Sequence, residues 1–425
     1  PIDDDDPRRM LPRSWSDAEL QSLLGGSPSV AEAHRARAAV RADYAAVSES
    51  ARKLAAHGAL PDGWPSFEAF DWATAIVSSR CFVLEEAGGG GSIEALVPLV
   101  DMLNHARPRQ TTYCVVDGME DGALELRTLL PLHGGAPVHD TYGAKGNEQL
   151  LATYGFTSLL NLEPDGSSND VRELPLPQTE ADAALLVFVP PTVAPLRIRP
   201  KRYALHPLLL AVDGFRAAAA AAWEQRAAPA STKALRGAAL EVRALRGLRE
   251  ALGAELGRYT LSAEEATAAL ELPEPPQGSL PREGVLGAKR AAAAAALVLS
   301  EQTTLQFYRL IASLCLDVLA PPAPPAAPAA PPAGSSSEAA AGDGATVEER
   351  RRTSAHRLRS EGEGGAGTGA PPSATGEDVS SLHHTSGQVT ALRQCACRER
   401  AAPVALAFVQ VRFPALLKSA AAPSK

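Results

Sequence analysis

The chain has 425 residues, of which 45% are hydrophobic and only 5% aromatic, and it carries a formal net charge of −8. That length allows two or three domains and a sizeable core, while the acidic balance argues against nucleic-acid binding, which normally shows a basic footprint. No apolar run approaches the roughly 18 residues that span a bilayer, so no membrane partner is expected. Cysteines at 81, 114, 315, 395 and 397 form an odd set without framework spacing, which points to a reducing compartment. Pro1 stands first with no initiator Met; the natural N-terminus is therefore expected to be missing, and chloroplast, cytoplasm and nucleus all stay open as locations.

In chain order, residues 1–9 read as a solvated link, and their four Asp lack the spacing of a calcium loop. Ser16 and Glu19 make a capping box, and helical composition runs on to about residue 57, broken at Gly25–Ser29. Residues 67–84 predict a helix containing, or followed by, the Ser79-Arg80 step; Gly88–Gly91 is a surface loop. From 93 to 142 short apolar runs alternate with Gly, Pro and Asp turns, which predicts a small β-rich unit. Within it Val97, Leu99 and Val100 read as a short buried strand interrupted by Pro98, closed by the polar cluster Asp101, Asn104 and His105. Polar groups beside apolar surface need partners, so each is expected to meet backbone or a ligand; taken alone, a satisfied turn is the simpler account.

Residues 147–156 return to helical spacing and stop at Gly155, and 160–202 read as irregular, Pro-punctuated chain. Leu245, Leu248, Leu252, Leu256 and Tyr259 share one helical face, Ser262 and Glu265 make a second capping box, and 288–319 predicts a long helix. Alanine runs at 217–222 and 291–296 suit close-packed helix. Beyond 320 the composition falls to Pro, Ala, Gly and Ser and reads as disordered to about residue 380; Pro403–Phe413 is left open between a strand and a loose tail.

Four pieces follow in fixed order: Ser78–Phe82 (SSRCF), Asp101–His105 (DMLNH), Thr111–Gly118 (TTYCVVDG) and Thr141–Phe156 (TYGAKGNEQLLATYGF). Together they resemble the SET-domain methyltransferases of the Rubisco large-subunit methyltransferase type. The elements that carry the likeness are Asn104-His105, Tyr142-Gly143, Asn147, Leu150-Leu151 and Tyr154-Gly155-Phe156. The resemblance implies an α+β fold: a helical insert of the SET domain at 1–75, the C-terminal part of that β-rich domain at 76–178, an all-α substrate-binding domain at 179–320, and a largely disordered tail at 321–425. It also implies a monomer that transfers a methyl group from S-adenosylmethionine to a lysine amine of a protein substrate.

By position, Tyr142 matches the catalytic tyrosine. Arg80, Asn104 and His105, with Tyr142, match the residues that hold the cofactor, and Ser79, Phe82, Asp101, Tyr113 and Tyr154 match the lining of the target channel. The chemistry suits these side chains. Methyl transfer is an in-line displacement at carbon, so alignment is the main task and contributes up to about 7–11 kcal/mol in the best cases. A lysine with a free pKa of about 10.4 must first lose its proton, which desolvation beside a cation favours. A phenol of similar pKa is a poor base, so Tyr142 is expected to orient the amine, with water as the final proton acceptor.

Two features depart from the family pattern. No Gly-x-Gly step precedes Trp15, so the chain as given is expected to hold only part of the cofactor site; and Gly135-Ala136-Pro137 with the polar Val138–Tyr142 replaces the usual Gly-Glu turn and apolar strand. Histidine methylation is the nearest alternative, against which Phe82 argues because an imidazole target wants a polar neighbour. A non-catalytic protein-binding module is the alternative from another class. Cys395 and Cys397 fall short of the four ligands of a closed zinc site, and no metal is expected. The substrate stays open among the Rubisco large subunit, another plastid enzyme, a ribosomal protein and a translation factor.

Overall fold

The structure, a computed structural model, describes residues 6–57, 65–85, 91–116, 123–163, 168–174, 184–187, 207–218, 235–272, 281–319 and 386–413. Helices and four two-stranded sheets give the α+β class expected from the sequence. The described residues fall into two units: 6–170, 258–302 and 386–392 in the first, and 171–257, 303–319 and 393–413 in the second.

In the first unit, Ser16 caps α1 (Asp17–Leu24) as a reciprocal box, its Oγ accepting from the Glu19 amide at 3.2 Å while Glu19 Oε2 accepts the Ser16 amide at 2.9 Å. Ser16→Ala is expected to cost about 1 kcal/mol, read as a lowered midpoint in denaturant. The cap places Leu20 and Leu24 inward, where they join Trp15, Leu151, Ala293, Ala294, Leu297 and Val298 in one buried core. The chain then turns through Gly26 at φ +91, where a Cβ would lie 2.5 Å from the Arg258 carbonyl, so only glycine fits. Next come α2 (Ser29–Ala56) and α3 (Phe67–Arg80). Tyr44 of α2 meets Phe67 and Phe70 of α3 with ring centroids 5.4 and 5.5 Å apart.

β1 (Cys81–Glu85) leaves α3 directly and pairs antiparallel with β2 (Ser92–Leu96). The buried strand expected at 97–100 is not there. The strand ends at Leu96, a turn covers Pro98 and Leu99, and a short 3-10 helix covers Val100–Met102. The reason is local: Pro98 cannot donate to a ladder, and Leu99 has φ +75 with its side chain 84% exposed.

β3 (Asn104–His105) pairs parallel with β6 (His139–Asp140), while β4 (Thr111–Val116) and β5 (Ala123–Thr128) form an antiparallel hairpin. α4 (Asn147–Tyr154) ends where expected, at Gly155 in the left-handed region, with Met10 Cβ only 2.7 Å from a would-be Cβ. Asp170 is the buried polar hub of this unit. Its oxygens accept from the Asn147 amide at 2.7 Å, Asn147 Nδ2 at 2.8 Å, Asn161 Nδ2 at 3.0 Å and Ser300 Oγ at 2.7 Å. The second capping box opens α7 (Ala263–Glu271), as the sequence predicts.

In the second unit β7 (Val171–Leu174) and β8 (Ala184–Val187) pair antiparallel inside the stretch read as irregular. Leu245, Leu248 and Leu252 of α6 (Leu235–Leu256) are fully buried, alongside α5 (207–218) and the C-terminal part of α8 (Arg282–Leu319). The segment left open between strand and tail is a helix, Arg398–Arg412, which buries Ala401, Ala402, Val404, Ala405, Phe408 and Val409. Arg412 ties it to Glu241 of α6 at 3.3 Å and to Asp213 of α5. The expected disorder from 321 to about 380 lies outside the described residues, as does the alanine run beyond residue 218. Among the described residues no helix is long and apolar enough to cross a membrane, and no group of His, Cys, Asp and Glu could hold a metal.

Candidate functional site

The site is built where β3 and β6 run side by side. Tyr142 leaves β6, and its amide donates to Nδ1 of His105 on β3 at 3.0 Å. Its hydroxyl donates to the Leu103 carbonyl at 2.9 Å, so Tyr142 is gripped at both ends by residues flanking Asn104. Because Nδ1 accepts, the His105 proton sits on Nε2. That atom is buried without a partner among the described residues.

Rings pack around this grip. Tyr154, the last residue of α4, stacks on Tyr142 at 4.6 Å and 28°. Phe156 stands edge-on to Tyr142 at 6.1 Å and tilts against His105 at 5.8 Å. Burial lifts the Tyr142 phenol above its usual range, with Arg80 nearby pulling it down and Asp140 pushing it up. Burial likewise lifts Tyr154. The His105 imidazole is pushed down to about 4, mainly by burial, with Arg107 and His139 adding to it. At neutral pH the cluster is therefore two protonated phenols and one neutral imidazole, fit to orient a group rather than to take its proton.

The other residues singled out in the sequence are placed unevenly. Arg80 ends α3, and its Nη1 donates to the Asp101 carbonyl at 2.8 Å and lies 3.2 Å from Met102 Sδ. It therefore meets the backbone of Asp101, not its carboxylate. Phe82 and Tyr113 make a second ring pair, edge to face at 5.2 Å, joining β1 to β4. Ser79 Oγ donates back to Ala75 of its own helix at 2.7 Å. Asn104 is exposed where His105 beside it is buried. Of this cluster, His105 is buried and meets backbone through Nδ1, as expected, while its Nε2 and the exposed Asn104 side chain are left for another partner.

Sequence reasoning passed over Phe156, although it lies in the quoted motif, and the polar pair beneath Tyr142. His139 and Asp140 are 2% and 3% exposed. Only the unusual polarity of Val138–Tyr142 hinted at them. A sulfonium nucleoside with an amino-acid tail needs a donor for its carboxylate and polar partners for its base and ammonium. Arg80, the exposed Asn104 amide and the orphaned His105 Nε2 supply that set, so the residues present fit S-adenosylmethionine.

No family model matches the chain. Ribosomal lysine N-methyltransferase set10 of Schizosaccharomyces pombe is 33% identical over 95 residues, which is 21% of this chain and 17% of that protein. Ribosomal lysine N-methyltransferase 1 of Saccharomyces cerevisiae is 35% identical over 99 residues, 23% of this chain and 16% of that protein. The match therefore spans about a sixth of the length of either curated relative. Among solved structures, the SET domain of LSMT bound to lysine and AdoHcy is 19% identical with a TM-score of 0.44, over 73% of this chain and 69% of that one. Rubisco LSMT bound to AdoMet is 18% identical with a TM-score of 0.41, over 73% and 70%. The motif resemblance read from the sequence agrees with the two curated relatives, both ribosomal lysine N-methyltransferases by name and about one residue in three identical over the matched stretch.

Proposed function

We propose that this protein is a protein-lysine N-methyltransferase using S-adenosylmethionine, with residues 76–178 as the part of the SET domain that holds the site and 179–320 as a substrate-binding domain. The observation that carries the reading is the double grip on Tyr142, from the His105 imidazole on its amide and from the Leu103 carbonyl on its hydroxyl, inside the ring cluster with Tyr154 and Phe156. A fixed phenol among rings aligns an amine and a methyl group and excludes water, and positioning of this kind dominates the catalysis of a displacement at carbon.

When bound, the cofactor supplies the electrophilic methyl. Arg80, Asn104 and His105 hold it on this reading. Phe82, Tyr113 and Tyr154 flank the aliphatic stem of the target lysine, with Ser79 and Asp101 at the channel. The target arrives as an ammonium and reacts as an amine, so its proton leaves to water before transfer. Tyr142 stays protonated throughout and aims its oxygen lone pairs at the amine.

The named activity of the two curated relatives favours a ribosomal protein as the substrate class. The test is incubation with methyl-labelled S-adenosylmethionine and ribosomal proteins, followed by acid hydrolysis. Label in methyllysine is the expected result. Label in methylhistidine instead moves the assignment to the histidine-directed alternative, and no label in protein supports the non-catalytic binding module.

A further inference from the structure

Beneath Tyr142 lies a polar arrangement that the methyl-transfer reading does not use. Asp140 is 3% exposed and Thr111 is fully buried. A carboxyl placed there with a single hydroxyl beside it is costly, and the position before a catalytic phenol could have been filled by an apolar residue. Thr111 Oγ1 on β4 lies 2.9 Å from Asp140 Oδ1 and 3.0 Å from the His139 carbonyl. This hydroxyl therefore fastens β4 to β6. The Asp140 carbonyl accepts the Ala106 amide at 2.9 Å, and the Asp140 Cα is the register partner of His105. His105 in turn accepts the Tyr142 amide. Each step from Thr111 to Tyr142 is thus a hydrogen bond or a paired strand position.

We propose that Asp140, held by Thr111, is a positioning residue for Tyr142: it fixes the backbone that carries the phenol and keeps the hydroxyl a hydrogen-bond donor under the reacting amine. The proposal rests on the methyl-transfer reading. Transfer speeds up as pH rises, because more of the lysine is neutral. A phenol that ionised over the same range would lose its proton just as the amine became reactive.

Burial is the main influence that keeps Tyr142 protonated, and charged groups on the neighbouring elements adjust it. Arg80 faces it from α3, His105 from β3, and Tyr154 from α4; Arg107 stands behind it, with Nη2 donating to the Gly143 carbonyl at 2.8 Å. The cationic Arg80 favours the phenolate, and Asp140 on β6 opposes it.

The experiment is an ultraviolet titration of tyrosinate, with the Tyr142→Phe protein subtracted so that Tyr142 alone is read. In the Asp140→Asn protein the Tyr142 midpoint is expected to fall below that of the unaltered protein, because the negative charge that opposes the phenolate is gone. The alkaline limb of the methyl-transfer profile should move down with it. A folded Asp140→Asn protein with an unmoved midpoint overturns the proposal. This readout needs no turnover, so absence of methyl transfer in the unaltered protein defeats the functional reading while the titration still decides the role of Asp140. Should Asp140→Asn fail to fold, Thr111→Val removes the donor at nearly constant shape and Thr111→Ser keeps it. Asp140 keeps its charge in both proteins, so the reading here is the rate: the Val protein is expected to transfer methyl more slowly and the Ser protein normally, and equal rates in both overturn the proposal.

Discussion

Tyr142→Phe is expected to slow methyl transfer by about 10²–10³-fold, the usual loss when one preorganised polar contact at a reacting centre is removed. The variant keeps the ring, so the stack on Tyr154 and the amide bond to His105 survive. What goes is one oxygen, and with it the bond to the Leu103 carbonyl at 2.9 Å. Loss of a single such bond costs about 1 kcal/mol of stability, far too little to unfold the protein. The loss should therefore fall on kcat, with the melting temperature almost unchanged. Turnover and thermal melting on the same preparation check this. Activity near the unaltered level would remove Tyr142 from the catalytic role and take the lysine-methyltransferase reading with it.

Asp170→Ala is expected to destabilise the first unit by about 3–5 kcal/mol, enough to leave a marginal domain unfolded at physiological temperature. Asp170 is buried, and burial pushes its carboxyl above the ordinary range, against the pull of Asn161, Ser300 and Asn147. Alanine would strand those donors without an acceptor, at about 1–3 kcal/mol for each group left unsatisfied. One of them is the first amide of α4, the helix that carries Tyr154 to its place against Tyr142. Denaturant unfolding of the first unit measures the change. A drop below about 1 kcal/mol would mean that water or a neighbouring side chain can take over the acceptor role.

Local signals in the sequence were legible where a short-range rule decides the outcome. Both capping boxes, the stop of α4 at Gly155 and the buried face of Leu245, Leu248 and Leu252 depend on residues within a turn or two of one another. The strand read at 97–100 failed because apolar content was weighed above the backbone demands of Pro98 and Leu99. The helix at Arg398–Arg412 was hidden by Pro403 and by Val404, Val409 and Val411, and it is held by contacts distant in sequence, such as that of Arg412 with Glu241.

For the site, the motifs singled out Tyr142, His105, Tyr154 and Arg80, and the fold sets the first three in ring contact. That Asn104 is exposed and His105 buried follows from two neighbours in a strand facing opposite ways, which the motif alone does not show. Asp140 and Thr111 were invisible as a pair, since 28 intervening residues separate the hydroxyl from the carboxyl and only the β4 and β6 placement joins them.

The helix Arg398–Arg412 has a consequence for how the second unit responds to being cut. It docks against elements that lie before residue 320 in the same chain, so its docking is intramolecular. Joining two binding pieces in one chain raises their effective concentration for each other. Scission anywhere between Leu319 and Ser386 would turn one folding reaction into the association of two pieces. The stability of the second unit would then depend on protein concentration, and dilution would uncover the apolar surface that Phe408 and Val409 now fill.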